Sequence, residues 1–327
     1  MFKSHFQIGM VTVVLLVALR LSIGCHFLYE GVWKIENSDE FSAKPFLTTA
    51  KGPAAPLFYA MVPDLDGRER LKIEKIKKDG KDTEVITGQC FLKVWEQLQA
   101  DTADKYGFSD EQKAQAAKIY KEYARGLKDY LADNQEDIAG YFGSLDRFEA
   151  QRAAGTDGAD YRKKRDWDRQ QELRSEVDGW LSSIDAMGKS YQASLVSLLN
   201  ENQRKLGPLP VATTFSDLMD FAVTYGLTAI GLCMMLGLFT RFACLGGAAF
   251  LVSVLLTQPP WPTIYPPFPA VVGHALVVDK NFVEMVAMLV LASTAVGRWG
   301  GLDYFVENYA VGIWELLKDI RKKVGGK

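Results

Sequence analysis

Residues 8–32 read IGMVTVVLLVALRLSIGCHFLYEGV, and the first charge in this 25-residue stretch is Arg20. About 20 helical residues cross the ~30 Å hydrocarbon core of a bilayer, so the stretch predicts a membrane span. Three further apolar runs follow much later, at Leu218–Phe239, Phe242–Thr257 and Asn281–Gly297. The first of these is also span-length. The last two, of 16 and 17 residues, must extend into flanking chain or lie in a locally thin bilayer. Averaged over the chain, hydropathy is close to zero, but the average hides a bimodal sequence. The pattern predicts a mainly α protein, a membrane four-helix bundle with a large soluble insertion. Residues 1–36 hold the first span, 37–212 the insertion, 213–300 spans two to four, and 301–327 a cytoplasmic amphipathic tail.

Basic residues near span ends set orientation. Lys3 precedes the first run, and Arg241 lies in the Phe239-Thr240-Arg241-Phe242 turn between the second and third. Arg298 closes the fourth, and Lys318, Arg321, Lys322 and Lys323 follow it. Four crossings place all of these on one side, so both termini are expected in the cytoplasm of a bacterial inner membrane, with the insertion periplasmic. Ser22-Ile23-Gly24-Cys25 is a loose lipobox, but Arg20 interrupts the uncharged core a signal peptide needs, so the span is expected to be retained. The cysteines Cys25, Cys90, Cys233 and Cys244 form no C-x-x-C, and only Cys90 falls in the insertion, which excludes a disulfide-stapled exported domain.

The insertion carries 30 of the 40 acidic and 27 of the 38 basic residues, a balance that excludes a nucleic-acid surface. Asn37–Pro63 is interfacial in character. Leu71–Ile76 and Thr83–Thr87 alternate around an Asp79-Gly80 turn, the pattern of a small β-hairpin. Helical spacing begins at Gln89. Ser109 with Gln112 forms a capping box opening a long helix, whose stripe runs Ile119, Tyr123, Leu127, Tyr130, Ile138, Tyr141, Leu145, Phe148. The breaker Ala153–Gly158 separates it from a second stripe, Leu173, Val177, Trp180, Ile184, Met187, Tyr191, Leu195, Leu198. The two predict a helical hairpin over about 109–206. The insertion has no histidine, P-loop or G-x-S-x-G, so chemistry within it is not expected. The hairpin serves either as a solvated structural element or as a face that docks protein partners.

Ionisable side chains within spans cost at least ~2.5 kcal/mol near the bilayer centre, so they mark candidate sites. At about 100° per residue, His26, Glu30 and Lys34 lie at about 240°, 280° and 320° from Arg20, within one arc of about 120°. Such an arc is expected to face the bundle interior, with Arg20 mid-membrane and the others nearer the outer edge. Glu284 on the fourth run should reach that edge, preceded in the outer loop by His274. Gln258–Ala270 holds six of the chain's twelve prolines together with Trp261, Tyr265 and Phe268, which predicts a stiff aromatic lid at headgroup level. Three uses of the polar set remain open: a structural ion-pair cluster, a shallow site for a quinone whose protons an imidazole and carboxylates exchange, or metal binding. The pair His26-x3-Glu30 lacks a third ligand, so no metal is expected.

Leu19-Arg20 followed by Gly24, and Phe27-Leu28-Tyr29-Glu30-Gly31-Val32-Trp33-Lys34, resemble the opening helix of DoxX-family membrane proteins. Leu236-Gly237-Leu238-Phe239-Thr240-Arg241 resembles the family's second-helix ending. Glu284 and Gly297-Arg298-Trp299-Gly300-Gly301-Leu302-Asp303 resemble its last helix and close. The resemblance covers the membrane part alone. It departs from the family in the large insertion and in the uncharged Tyr225–Leu232, where a carboxylate is common. It implies an inner-membrane four-helix unit attached to a quinone-linked redox complex. No haem, flavin, nicotinamide or Fe–S motif is present, so any electron source must be another subunit. The alternative is a non-enzymatic scaffold whose periplasmic hairpin recruits partners.

Overall fold

The computed structural model describes residues 9–38, 40–78, 81–155, 160–209, 215–261, 264–265 and 277–309. Lys3, the Asp79-Gly80 turn, Thr156–Gly158 of the breaker, the lid from Pro266 to Ala270, His274 and the tail beyond Tyr309 lie outside these residues. The chain divides into two compact units, one of residues 1–62 with 213–327 and the other of residues 63–212. Asn37–Val62 thus groups with the apolar helices.

In the first unit, α1 spans Met10–Glu36 and buries Arg20, Ile23, Gly24, Phe27 and Gly31, a stripe at spacings of three and four. It ends where Asn37 turns back, its backbone and side-chain N–H groups both donating to the Trp33 carbonyl at 3.0 and 2.8 Å. Two one-turn helices follow, α2 (Lys44–Thr48) and α3 (Ala55–Tyr59), each with proline in its first turn, where a missing N–H costs nothing.

The second unit opens with β1 (Ile73–Lys78) and β2 (Lys81–Ile86), paired antiparallel from Ile73 opposite Ile86 to Lys78 opposite Lys81. Helices α4 (Gln89–Tyr106), α5 (Asp110–Asp133), α6 (Gln135–Ala153), α7 (Asp160–Ser197) and the short α8 (Glu201–Arg204) complete it. The Ser109–Gln112 capping box forms in both directions, at 3.3 and 3.0 Å. The long helix expected after it is two helices. Asn134 leaves helical geometry and its side-chain amide donates to the Tyr130 carbonyl at 2.8 Å, a local bond that competes with continuing the helix. The hairpin also has a third wall, since α7 packs on α4 as well as on α5 and α6. Tyr191 and Leu195 of the second stripe are fully buried, whereas Trp180, Met187 and Leu198 pack at its edge and Leu181 takes an inner place. The aromatic residues of the stripes are spent internally. Tyr191 meets the rings of Trp95, Tyr120 and Tyr123, and its hydroxyl donates to the Trp95 carbonyl at 3.2 Å.

Back in the first unit, α9 spans Phe215–Leu236, α10 Thr240–Thr257 and α11 Lys280–Ser293. Three helices, Met10–Glu36, Asp217–Leu236 and Thr240–Thr257, are long and apolar enough to cross a membrane. The fourth expected span holds 14 helical residues, about 21 Å, and Thr294 turns extended after it. All four helices nonetheless feed one core that includes Phe27, Leu227, Met234, Cys244, Leu251, Met288 and Leu291. The α1–α9 pair is the closest. A methyl on Gly24 would meet Met234 Cβ at 2.9 Å, one on Gly231 would meet Leu28 Cα at 2.6 Å, and one on Gly31 would meet the Thr228 nitrogen at 2.5 Å. Rising numbers on one helix match falling numbers on the other, so the pair is antiparallel and held by close backbone approach, the packing that serves where lipid removes the hydrophobic drive. At one end, which we call upper, the loop carrying α2 and α3 is tied down by bonds from Ala43 N to the Asp220 carboxylate (2.5 Å), Lys51 N to the Thr257 carbonyl (2.9 Å) and the Gln258 amide to the Thr49 carbonyl (3.0 Å).

Candidate functional site

At the opposite, basal end, α9 turns into α10 through Gly237 (φ 62°) and Phe239 (φ 47°), the latter a conformation that costs free energy for a residue with a side chain. Phe239 has no cap of its own to offer α10, whose first N–H groups need acceptors. Asp303, some sixty positions on, supplies them: its carboxylate accepts from Phe239 N at 2.6 Å and Thr240 N at 3.0 Å. Backbone bonds from Leu302 N to Leu236 O and Asp303 N to Gly237 O, at 3.0 and 2.8 Å, hold that carboxylate in place.

Arg20 reaches the same place from α1. Its side chain is 1% exposed, and its two terminal nitrogens donate to the Val296 and Gly300 carbonyls at 3.1 and 3.3 Å. Those carbonyls lie beyond the end of α11, where helical donors run out; Val296 O also accepts from Trp299 N at 3.2 Å, whereas Gly300 O has Arg20 alone among the described residues. The Asp303 carboxylate lies within electrostatic reach of the guanidinium. Among the described residues, Arg20 Nε and Thr240 Oγ1 are buried without a hydrogen-bond partner. A cavity of about 260 Å³ beside this knot is lined by Thr240, Arg241, Arg298, Asp303 and Glu307. Arg298 pairs with Glu307 at 3.0 Å, and Arg241 Nε donates to the Thr294 carbonyl at 3.4 Å. An arginine keeps its proton throughout the accessible pH range. The knot can therefore fasten three segments, but Arg20 cannot exchange protons there. It joins the three stretches that carried the family resemblance: Arg20 from the first, Gly237–Arg241 from the second, Gly297–Asp303 from the third.

The other candidates divide according to their angle from the buried stripe of α1. Lys34 and Glu30 form an ion pair at 2.8 Å, with side chains 13% and 43% exposed. The ammonium also stands 5.3 Å from the Phe41 ring centroid. Lys280 lies within electrostatic reach of Glu30, and Glu284 is half-buried one turn further along α11. His26 also lies within electrostatic reach of Glu30, but makes no hydrogen bond or ion pair with it among the described residues. It is exposed, roughly 120° from the line of Arg20, Phe27 and Gly31 that faces the core, so an arc measured from Arg20 runs from the interior to the outer surface. Among the described residues no hydrogen bond or ion pair links Glu284 to His26 or Glu30, and no three His, Cys, Asp or Glu side chains are placed to hold a metal.

Asp303 and Thr240 were not among the sequence candidates. The signal for Asp303 was an acid shortly after the fourth run, matched to a helix that starts at Phe239 without a capping residue. Comparison with protein-family models, characterised proteins and solved structures found no match for this chain.

Proposed function

We propose that the chain is a DoxX-like inner-membrane protein that works as a non-enzymatic scaffold, carrying its 63–212 domain on a four-span helical unit. In this reading both termini are cytoplasmic and the inserted domain is periplasmic, where it recruits protein partners. The observation that carries the reading is where the ionisable groups of α1 are spent. Arg20 holds backbone carbonyls and Glu30 holds Lys34, so neither is free to serve as an acid or base. The inserted domain supports it, because its aromatic and apolar stripes are consumed by its own core, leaving a charged surface suited to reversible partners.

The test is to purify the full chain from its native membranes and identify what accompanies it. A partner without a redox centre, lost when 63–212 is replaced by a short linker while the spans remain inserted, is the expected result. A stoichiometric quinone, or electron transfer that depends on the purified chain, would overturn it.

One feature favours a quinone-linked subunit as the second reading. Glu30, Lys34, Lys280 and Glu284 gather ionisable groups near the upper ends of α1 and α11. On that reading Glu284→Gln lowers quinone retention in folded, inserted protein. On the scaffold reading it leaves lipid content unchanged.

A further inference from the structure

The outward face of α1 carries polar residues where hydrocarbon would be expected. Ser22, Cys25, His26 and Tyr29 are exposed at spacings of three, one and three, and with Leu21 and Met235 they line a shallow groove of about 610 Å³. The exposed residues of α10 make the contrast: beyond Arg241 they are Phe242, Leu245, Gly246, Ala249, Val252 and Leu256. Depth sharpens it. Ile23 is the middle residue of α1, so His26 lies about 4.5 Å along the axis from the helix centre. On α10 the level is similar, because neighbouring Phe27 meets Phe250, next to that helix's middle, with ring centroids 6.3 Å apart, whereas on α9 it is lower, Leu28 packing on Gly231 about 8 Å from that helix's middle. Neither His26 nor Tyr29 has a hydrogen-bond partner among the described residues, while Ser22 donates to its own helix at Ala18.

From the chemistry of this stripe we infer that it is the contact between two copies of the chain. Two copies inserted in the same sense are related by a two-fold axis along the membrane normal, so each residue meets its own kind at its own depth. Such an interface excludes fixed charges and requires groups that both donate and accept. Serine, neutral histidine and tyrosine all do, and cysteine does weakly. Between Met10 and Val32 the ionic side chains are Arg20, which is buried, and Glu30, which is half-exposed but already paired with Lys34. Ala18, Ser22 and Cys25 are small enough to let two backbones approach, as packed helices in lipid require. The inference rests on the membrane reading of α1 and on neither the scaffold nor the quinone assignment.

Cys25 makes the contact testable in the full chain and its own membranes. In a Cys90→Ser, Cys233→Ser, Cys244→Ala background, a disulfide between two Cys25 residues needs Cα atoms within about 7 Å. Copper-phenanthroline oxidation should give a reducible species of twice the chain mass as the major product. Moving the lone cysteine to the apolar exposed face of α10, with Cys25→Ser and Leu245→Cys, should lower the yield at least tenfold. Ser22→Leu with His26→Leu, leaving Cys25 in place, should do the same while insertion is unchanged. Equal yields from positions 25 and 245 would overturn the inference. So would a monomer by mass in detergent whose groove retains a quinone or lipid that protects Cys25 from a membrane-permeant maleimide.

Discussion

The two units of this chain are both helical, yet they use their polar and apolar residues in opposite ways. In the 63–212 unit the apolar residues are scarce and periodic, and nearly all of the regular ones are buried: Leu127, Ile138, Leu145, Val177 and Leu195 are at most 4% exposed. In the membrane-length unit apolar residues are everywhere, and many large ones, such as Val14, Leu15, Phe221 and Phe242, are exposed. There the buried positions are marked by what interrupts the apolar run: Arg20, Gly24, Gly31, Gly231. Water selects helices by their apolar stripe, and lipid by close packing and polar knots. The same contrast predicts which substitutions hurt most in each unit.

The largest loss in the membrane unit should come from a polar residue. Arg20→Met replaces the cation with an apolar chain of similar length, leaves the Gly300 carbonyl unpaired and the Val296 carbonyl with the Trp299 N–H alone, and takes the counter-charge from Asp303. The cost should be about 3–5 kcal/mol. Thermal unfolding in detergent measures it, and a double mutant with Asp303→Asn should cost less than the sum of the two singles, because the lone carboxylate is gone. Strict additivity would show that the knot is not one unit.

In the inserted unit the comparable loss should come from an aromatic residue. Tyr191 is fully buried against three rings, so Tyr191→Ala should cost about 3–4 kcal/mol. Tyr191→Phe keeps the packing and loses the hydroxyl's bond to the Trp95 carbonyl and its longer one to the Gln99 amide oxygen, about 1 kcal/mol. If the two variants were equal, the hydroxyl rather than the packing would hold this core. Next in size is Gly31→Ala, whose methyl would lie 2.5 Å from the Thr228 nitrogen. Separating α1 from α9 to admit it should cost about 1–3 kcal/mol. The same exchange at Gly126 on α5, which faces open space, should be neutral or stabilising.

How far the sequence could be read follows the same division. The capping box at Ser109, the hairpin strands and most of the two stripes were legible, because period and cap chemistry act locally. The break at Asn134 was hidden, since the apolar spacing continues across it while one side-chain amide ends the helix. In the membrane unit the spans at α1, α9 and α10 were legible from length and composition. The convergence at Arg20 was not, because its partners are backbone carbonyls nearly three hundred positions away, and a carbonyl leaves no mark on a sequence. The arc on α1 separates its members by face: 120° is wide enough to hold both the inner and outer sides of one helix, so His26 is exposed while it stays within electrostatic reach of Glu30.

The smallest expected effect compares the two exposed cysteines, Cys25 in the membrane unit and Cys90 at the start of α4. Although Cys90 is an exposed residue, partial burial of its thiol raises the pKa above the ordinary thiol value, and this outweighs the nearby backbone N–H groups and Arg70, which pull the other way. The thiol donates to the Arg70 carbonyl at 3.5 Å, a bond only the protonated form can make. The thiolate is the reactive species, so a raised pKa means slow alkylation at neutral pH. A membrane-impermeant maleimide should therefore label folded Cys90 several-fold more slowly at pH 7.5 than the same thiol in urea. The folded rate should still be climbing at a pH where the unfolded one has levelled. The sign for stability follows: with the folded pKa raised, any contribution from this thiol is present below the unfolded pKa and lost as pH rises through the folded one. Cys25 should resist the impermeant reagent at every pH while the bilayer is intact, because solvent and not pKa limits it. Labelling of Cys90 at the unfolded rate at pH 7.5 would show that its thiol is solvated. Labelling of Cys25 in intact membranes would place the centre of α1 in water and undo the comparison from which these predictions start.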